Sequence, residues 1–355
     1  MLNVEYTLTL FRYTDIIEMV IKMNLNIIIK QSGMTKYKVA KLSGVPHATL
    51  NDLCSGKSRI EKCSAETLYR IAKALNVSME SLIETAIIEK EERRAFMFTK
   101  QDILSQLETF RFAVGHHIHV HSSLKAVGEV EGRGETLLSC LIDFFTKDGG
   151  MISFPTHTWD DNILDLNKNE TCMGMLSKLA LQRGDGVRTC NPTHSMIIFG
   201  EGAAEYAKWD EQIQSSVSPD GCYGKLYDAD GYILLLGVGQ DKNTYIHAAE
   251  EALGVPDRVT KELHDTFVID MNGNRITRPL HLVYEEFGDI SDYFGKLEPA
   301  FRYHNCIVDG KIGNAPVQFC SVRNMSKVLE LIHKRSHNIE IFADDTPLLE
   351  EWYME

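Results

Sequence analysis

The chain has 355 residues, more than a single hydrophobic core usually supports, so we expect two domains. Its net charge of −13 is unevenly spread: residues 30–87 hold nine Lys/Arg against five Asp/Glu (+4), whereas residues 88–355 come to about −16, which predicts different partners for the two parts. Eight cysteines without a C-x-x-C pair argue against a zinc ribbon or a redox pair and favour free thiols in a reducing cytoplasm.

The first stretch, "TLTLFRYTDIIEMVIKMNL", is apolar but is interrupted by Arg12, Asp15, Glu18 and Lys22. It has neither a basic leader nor a small-residue cleavage site, so it is predicted to be neither a signal peptide nor a membrane span. The charged run "EKEERR" at 89–94 indicates a junction. We therefore divide the chain into an N-terminal extension (1–22), a first domain (23–87), a linker (88–97) and a second domain (98–355).

Short amphipathic helices at close spacing fill the first domain. Gly44 is placed to end one helix and Pro46 to open the next, with Val39 and Leu50 turned inward. Two helices joined by a tight glycine turn form a helix-turn-helix that can enter a major groove of DNA. The side chains predicted to contact bases are His47, Thr49 and Asn51. Those predicted to contact phosphates are Lys36, Lys38 and Lys57.

The stretch "MTKYKVAKLSGVPHATLNDLCSGKSRIEKCSAETLYRIAKALNVSMESLIE" resembles the Cro/repressor-type helix-turn-helix family. The resemblance implies an all-α bundle that binds DNA through residues 25–87, and the alternative is a bundle that mediates only protein contact. Since two half-sites one helical turn apart need two copies, a homodimer is expected. The family starts near Met23, so residues 1–22 are expected to be an upstream extension of the reading frame.

From residue 98 onward, strand-like and helical runs alternate, which predicts an α/β domain. The clearest strands are "HHIHVHSSL", "GGMISFPTHT" and "GYILLLGVG", and "VIDMNGNRITRPLHLVY" predicts a hairpin that turns at Asn272-Gly273. Small and hydroxyl residues follow these strands, and the backbone N–H groups freed at such turns suit a phosphate or thioester ligand. By itself this pattern is a weak indication.

Four ordered segments carry a more specific signal: "HVHSSLKAVGEVEGRGETLLSCL", "GGMISFPTHTW", "GVRTCNPTHSMIIFGEGAAEYA" and "GYILLLGVGQDKNTYIHAAEEALGVPDR". Together they resemble the aminoglycoside N3-acetyltransferase family over about residues 100–335. The resemblance implies that family's own α/β fold, and transfer of an acetyl group from acetyl-CoA to an amine of an aminosugar antibiotic, an antibiotic-resistance activity.

A protonated amine must lose its proton before it can attack a thioester, and an imidazole has a suitable pKa for that task. His247 matches the family histidine in the block Thr244-x-x-His247-x-x-Glu250. A carboxylate bonded to the imidazole would fix its tautomer and stabilise the imidazolium. Glu250 is the local candidate, Glu285 and Glu286 are distal ones, and the sequence does not choose among them.

Two further segments have candidate roles. In "NPTHS", His194 is either a substrate-site residue or a support for one. In "HSSLKAVG", the resemblance implies contacts to the pantetheine and pyrophosphate of the cofactor, made by Ser122, Ser123, Leu124, Val127 and Gly128. His117, His119 and His121 alternate along one strand and so share a face, while His116 points the other way. Without a fixed ligand spacing such as H-E-x-x-H, no metal is expected.

The chain departs from the family at three places near the presumed cleft. A histidine is common in the family where this chain has Asn191, a glutamate is usual where it has Ser177 and Lys178, and a Ser-Pro pair is usual where it has Gly221 and Cys222. The cofactor segment and His247 are intact, so acetyl transfer is predicted more firmly than the identity of the acceptor, an aminoglycoside or a related amine.

The fusion itself raises two alternatives. In the first, the large domain senses a ligand, with weak or no catalysis, and controls the attached helix-turn-helix as a transcription regulator. In the second, the chain is a protein-interaction scaffold that binds neither DNA nor CoA. No membrane partner is expected.

Overall fold

The structure is a computed structural model that describes residues 25–55, 57–58, 60–83, 97–159, 162–283, 289–336 and 347–355. The chain divides into two compact units, Met1–Met97 and Phe98–Glu355. The predicted extension 1–22 and nearly all of the predicted linker 88–97 lie outside the described residues.

The first unit is an all-α bundle, as predicted. Thr35 accepts a hydrogen bond from the N–H of Lys38 at the start of α2, and Gly44, at φ 63°, ends that helix in a left-handed conformation. Ser64 accepts from Thr67 at the start of α4. The helices are α1 Leu25–Gln31, α2 Lys36–Ser43, α3 His47–Cys54 and α4 Ala65–Leu75.

Val39, Ala40, Leu50 and Leu53 are all buried in the core of this bundle, which confirms the inward faces predicted for α2 and α3. The bundle is the helix-turn-helix fold that the sequence predicts, because α2, the Gly44 turn and α3 are consecutive and pack on α4 and α1.

The second unit is built on a seven-stranded mixed sheet in the order β4-β5-β2-β1-β6-β10-β9. Strands β2, β1 and β6 are parallel to one another, and β4, β5, β10 and β9 extend the sheet on either side by antiparallel pairing. The strands are β1 His117–Ser122, β2 Met151–Pro155, β4 Val187–Arg188, β5 Met196–Gly200, β6 Tyr232–Leu236, β9 Ile307–Ile312 and β10 Ala315–Ser321.

Helices cover both faces of this sheet. One face packs Ile118, Val120 and Leu234 against α5, α7 and α8; the other packs Ile233 and Leu235 against α10, α11 and α12. The helices are α5 Lys100–Leu107, α6 Leu124–Val127, α7 Arg133–Phe145, α8 Met175–Arg183, α9 Ala203–Tyr206, α10 Tyr245–Ala252, α11 Glu298–Tyr303 and α12 Val322–Ser336.

A second, three-stranded sheet joins β3 Ile163–Asp165, β7 Phe267–Ile269 and β8 Arg275–Thr277. The last two form the predicted hairpin, with Gly273 at φ 82° in the turn. The strands are shorter than the sequence pattern indicates, because the chain beyond Thr277 leaves the hairpin and forms single bridges with 259 and 264.

The second unit is thus the α/β domain that the sequence predicts. Along the described ranges, no helix is both long and apolar enough to cross a membrane.

Candidate functional site

The carboxyl ends of the parallel strands β1, β2 and β6 meet at one edge of the large sheet. Ser122, the last residue of β1, pairs with Leu236, the last residue of β6. Such an edge is where open α/β sheets bind ligands, because strand ends there turn outward and free backbone groups.

Antiparallel β5 brings a second loop to the same edge. Pro155 at the end of β2 pairs with Met196 at the start of β5, so the residues after one and before the other lie side by side. The N–H of Thr158 donates to the carbonyl of Thr193 over 3.0 Å. The rings of His157 and His194 consequently lie against each other in a tilted arrangement, with centroids 4.5 Å apart.

His247 lies on α10, the helix that follows β6. Its side chain is buried, its ring packs on Phe294 at 4.8 Å, and its Nδ1 makes no hydrogen bond within the described part of the chain. Burial lowers the pKa of His247 to about 4, with Asp289 acting to raise it and Arg258 to lower it. The imidazole is therefore neutral at neutral pH and able to accept a proton.

His194 is half-buried, and its Nδ1 lies 2.9 Å from the hydroxyl of Thr193. Burial lowers the pKa of His194 to about 3; the nearby His247 lowers it further and Asp289 raises it. His247 and Asp289 are therefore both electrostatic neighbours of His194, which lies in the same part of the unit as His247.

Glu250 lies on α10 one turn beyond His247, as the i, i+3 spacing requires. Its Oε2 accepts a hydrogen bond of 2.6 Å from Nε of Arg258, and both side chains are buried, at 2% and 8% exposure. No hydrogen bond joins Glu250 to His247 in the described ranges. The distal candidates Glu285 and Glu286 lie outside the described residues.

Asp289 is the carboxylate that acts on both imidazoles, and sequence reasoning missed it. It is exposed and caps the helical segment Ile290–Leu297, where its Oδ1 accepts from the N–H of Ser291 over 2.9 Å. In the sequence, Asp289 is recognisable only as an Asp-x-Ser cap, which marks the start of a helix. That pattern does not show that Asp289 lies near His247, which precedes it by 42 positions.

His157, Trp159 and Tyr223 were also missed as site residues. The Trp159 ring is 47% exposed and lies 5.2 Å from His157 and 5.8 Å from His194. His157 Nε2 lies 2.8 Å from the hydroxyl of Tyr223. The polar run after β2 was a usable signal for His157, whereas nothing local marks Tyr223.

Asn191, the first departure from the family, holds the loop that carries His194. Its Oδ1 accepts from the backbone N–H of His194 at 2.9 Å and of Thr193 at 3.1 Å, and its Nδ2 donates to the carbonyl of Ser216 at 2.9 Å. This side chain is 1% exposed, and its hydrogen bonds hold the backbone of the loop in place.

The other two departures are mainly structural. Ser177 is buried on α8, next to exposed Lys178. Cys222 is fully buried with its thiol on the carbonyl of Tyr206, and a Cβ on Gly221 would lie 2.7 Å from Ile213. No space at that turn is open to a larger side chain without movement of its neighbours.

The predicted cofactor segment spans the end of β1 and helix α6. The Ser123 N–H donates to the carbonyl of Leu236, whereas the hydroxyls of Ser122 and Ser123 make no hydrogen bond within the described ranges. Leu124 is half-buried, Val127 is buried, and Gly128 has φ 86°. Free hydroxyls beside an apolar floor fit a pantetheine chain, whose amides need hydrogen bonds and whose methylenes need apolar contact.

His117, His119 and His121 are buried on the face of the large sheet that packs on α10. The rings of His119 and His121 are 4.8 Å apart, and both His117 and His119 bond to the hydroxyl of Ser153 at 2.8 Å. His116 points away, against Tyr232. Along the described ranges, no three His, Cys, Asp or Glu side chains are arranged to hold a metal ion.

In the first unit, the candidate base-reading residues lie on α3, with His47 exposed and Thr49 and Asn51 half-exposed. The Asn51 Nδ2 lies 3.3 Å from Nδ1 of His47. Lys38 and Lys57 are exposed, Lys36 is half-exposed, and Lys57 lies 3.6 Å from Asp52.

Two family models match the chain. One, described as aminoglycoside 3-N-acetyltransferase, covers residues 119–332, and the other, described as a Cro/C1-type helix-turn-helix DNA-binding domain, covers residues 24–86. They occur in the predicted order.

Relatives of the larger unit come from several bacteria. The chain is 24% identical over 275 residues to the SPbeta prophage-derived aminoglycoside N(3')-acetyltransferase-like protein YokD of Bacillus subtilis, covering 70% of this chain and 98% of that protein. It is 26% identical over 191 residues to aminoglycoside N(3)-acetyltransferase III of Serratia marcescens, covering 47% and 70%.

Solved structures share the fold. The crystal structure of YokD from Bacillus subtilis matches with a TM-score of 0.57 and 22% identity, over 66% of this chain and 92% of that one. The AAC-IIIb binary complex with CoASH matches with a TM-score of 0.57 and 19% identity, over 67% and 97%. AAC-VIa bound to sisomicin matches with a TM-score of 0.54 and 18% identity, over 65% and 95%.

Proposed function

The chain belongs to the aminoglycoside 3-N-acetyltransferase family, and we propose that its larger unit transfers the acetyl group of acetyl-CoA to an amino group of an aminoglycoside or a related aminosugar. The observation that carries this proposal is the position of the buried His247 on the helix that follows β6, at the sheet edge where β1 ends in the cofactor segment and where the loop before β5 carries His194.

In the proposed reaction, His247 takes a proton from the ammonium group of the acceptor. The freed amine attacks the thioester carbonyl, a C–N bond forms and the C–S bond breaks. The nitrogen then loses a further proton to the departing CoA thiolate, which gives the amide and CoASH, and His247 releases its proton to solvent. Asp289 opposes the effect of burial on the pKa of His247 and so stabilises the imidazolium that forms. His194 lies beside this proton transfer and orients the acceptor.

Glu250 supports the site through the helix. Its buried ion pair with Arg258 ties α10 to the segment after it, which fixes the backbone that carries His247. Removing either member of a buried ion pair is strongly destabilising, so both residues are expected to be needed for α10 to stay in place.

Acetyl-CoA would lie along the end of β1 and helix α6. The hydroxyls of Ser122 and Ser123 would bond the pantetheine amides, Leu124 and Val127 would pack on its methylenes, and Gly128 would let the backbone turn away. Lys125 is exposed, and its ammonium group would be available to the cofactor phosphates.

The acceptor would lie on the other side of His247, against Trp159 and His194. An exposed indole face attracts an ammonium group, and the carboxylate of Asp289 adds charge complementarity. The acidic balance of this unit would draw a polycationic aminosugar toward it.

A thiol-release assay with acetyl-CoA and a panel of aminoglycosides tests the proposal. The His247→Ala variant is expected to lose at least about 100-fold in kcat, the usual contribution of a general base, with little change in affinity for acetyl-CoA. The matched control is His264→Ala, which removes an exposed imidazole from the same unit and should leave turnover unchanged.

Retention of wild-type kcat by pure His247→Ala protein would remove this residue as the base. If acetyl-CoA binds tightly but no free CoA appears with any acceptor, the result would contradict acetyl transfer and favour the ligand-sensing regulator.

For the first unit we propose DNA binding through α3. The carrying observation is that His47, Thr49 and Asn51 remain accessible on one helix while Lys38 lies exposed on the preceding one, the arrangement in which bases and phosphates are contacted together.

A further inference from the structure

Tyr223 is a buried polar residue that the proposed chemistry does not use. Its side chain is 1% exposed, and it immediately precedes the short helix Gly224–Leu226. Burial raises the pKa of Tyr223 well above its ordinary value, with Asp210 adding to the rise, so the hydroxyl keeps its proton. A hydroxyl this deeply buried must be hydrogen-bonded, which makes its partners informative.

The first partner is on the loop after β2. The Tyr223 hydroxyl lies 2.8 Å from Nε2 of His157, and both groups are buried. The other ring nitrogen of His157, Nδ1, is buried and makes no hydrogen bond along the described ranges. Tyr223 is thus the side chain that holds the His157 ring in its orientation.

His157 in turn packs against His194. The two rings lie 4.5 Å apart at an interplanar angle of 50°, so rotation of the His157 ring would displace the His194 ring. Buried side chains pack at the density of organic crystals and transmit such displacements.

Tyr223 also contacts the other half of the site. Its ring belongs to the same apolar cluster as Ala248, the residue after His247 on α10, and the Gly224–Leu226 helix packs against α10. One residue therefore joins the loop that carries His157 to the helix that carries His247.

We propose that Tyr223 is a positioning residue that holds His157 and α10 in fixed relation, so that the His194 and His247 imidazoles face one acceptor amine. This inference rests on the proposed acetyl transfer.

The test compares Tyr223→Phe with Tyr206→Phe. The Tyr206 hydroxyl lies in the same apolar cluster but donates to the backbone carbonyl of Cys222 at 2.8 Å and not to His157. Both changes delete one buried hydroxyl, so any general loss of stability should be similar. Tyr223→Phe is expected to lower kcat about tenfold or more with an unchanged KM for acetyl-CoA, whereas Tyr206→Phe should stay within about twofold of wild type.

A second readout does not depend on turnover. Nitrogen-15 spectra of the imidazoles, with His157 assigned through a His157→Gln variant, should show the same His157 and His194 chemical shifts in the wild type and in Tyr206→Phe. In Tyr223→Phe the Nε2 signal of His157 should shift because its hydrogen-bond partner is lost, and the His194 signal should shift with it.

Unchanged imidazole spectra in Tyr223→Phe would overturn the positioning role, as would an equal loss of kcat in both variants that follows an equal loss of thermal stability. Absence of turnover in the wild type would contradict the proposed function instead, and the spectra would still decide the role of Tyr223.

Discussion

Burial sets the protonation state of the two imidazoles at the sheet edge, and one exposed carboxylate opposes it. The pKa of His247 lies near 4 and that of His194 near 3, mainly because charged imidazole is poorly solvated there. Asp289 acts in the opposite sense on both. An imidazole with a lowered pKa is unprotonated at neutral pH and can accept a proton, although its lowered pKa also makes it a weaker base.

Replacing Asp289 by Asn tests this balance. Asn keeps the side-chain oxygen that caps Ile290–Leu297 but removes the charge, so the pKa values of His247 and His194 should fall further. The acidic limb of the pH profile of kcat should move to lower pH, and kcat should fall about two- to fivefold, the size expected for an exposed charge worth less than about 1 kcal/mol.

The control is Asp292→Asn, which removes a neighbouring charge that pairs with Lys242 at 3.8 Å. An acidic limb that shifts equally in both variants, or in neither, would show that Asp289 has no special effect on the site.

At the scale of the element, helix α3 and the preceding α2 form the proposed DNA-binding surface. Local sequence features specify this element. The Thr35 cap and the left-handed Gly44 define the ends of α2, and the buried Val39 and Leu50 define the inner faces of α2 and α3. The side chains on the outer face of α3 can contact DNA because the side chains on its inner face supply the packing that stabilises the bundle.

Lys38→Ala is expected to weaken binding to any duplex DNA and to reduce the slope of log K against log salt by about one unit, because one phosphate contact and its released counterion are lost. Fluorescence anisotropy with a generic duplex at several salt concentrations measures this. Lys334→Ala removes the same charge from α12 of the larger unit and should leave the slope unchanged. A wild-type protein whose binding shows no salt dependence would contradict phosphate contact by α2.

On the scale of the whole molecule, the larger unit buries a row of neutral imidazoles. Burial lowers the pKa of His117 and His121 to about 3, and that of His119 and His157 well below the ordinary value of 6.5. With His194 and His247, six groups favour the uncharged form when the protein is folded.

This row predicts strong acid sensitivity. Because the folded pKa values lie below the unfolded ones, the unfolded chain binds more protons, so stability is fully present above about pH 6.5 and is lost as the pH falls toward 4. Each histidine contributes a slope of up to about 1.4 kcal/mol per pH unit in that window.

Urea unfolding between pH 5 and 7 measures this slope. All three tryptophans, Trp159, Trp209 and Trp352, belong to the larger unit, so tryptophan emission follows its unfolding. A free energy of unfolding that is flat over this range would contradict the neutral state of the row. His264→Gln, which alters an exposed imidazole, should leave the slope as it is.

Much of the fold was predictable from the sequence because its signals are local. The caps and the buried faces of the first unit, the strands β1, β2 and β6, the hairpin turn at Gly273 and the shared face of His117 and His119 all follow from short-range periodicity and turn chemistry. The four ordered segments likewise specified the family, since order and spacing are properties of the chain itself.

What only the tertiary structure decided is which side chains surround His247. Glu250 shares its helix face but bonds to Arg258, Asp289 acts on the imidazole from another segment, and Tyr223 reaches His157 across 66 residues of sequence. Spacing along a helix limits which residues on that helix can contact each other. Burial and strand order then determine which residues from other segments contact them. The sequence therefore determined two domains, their folds and the family, and the packing of the large sheet determined the partners at its edge.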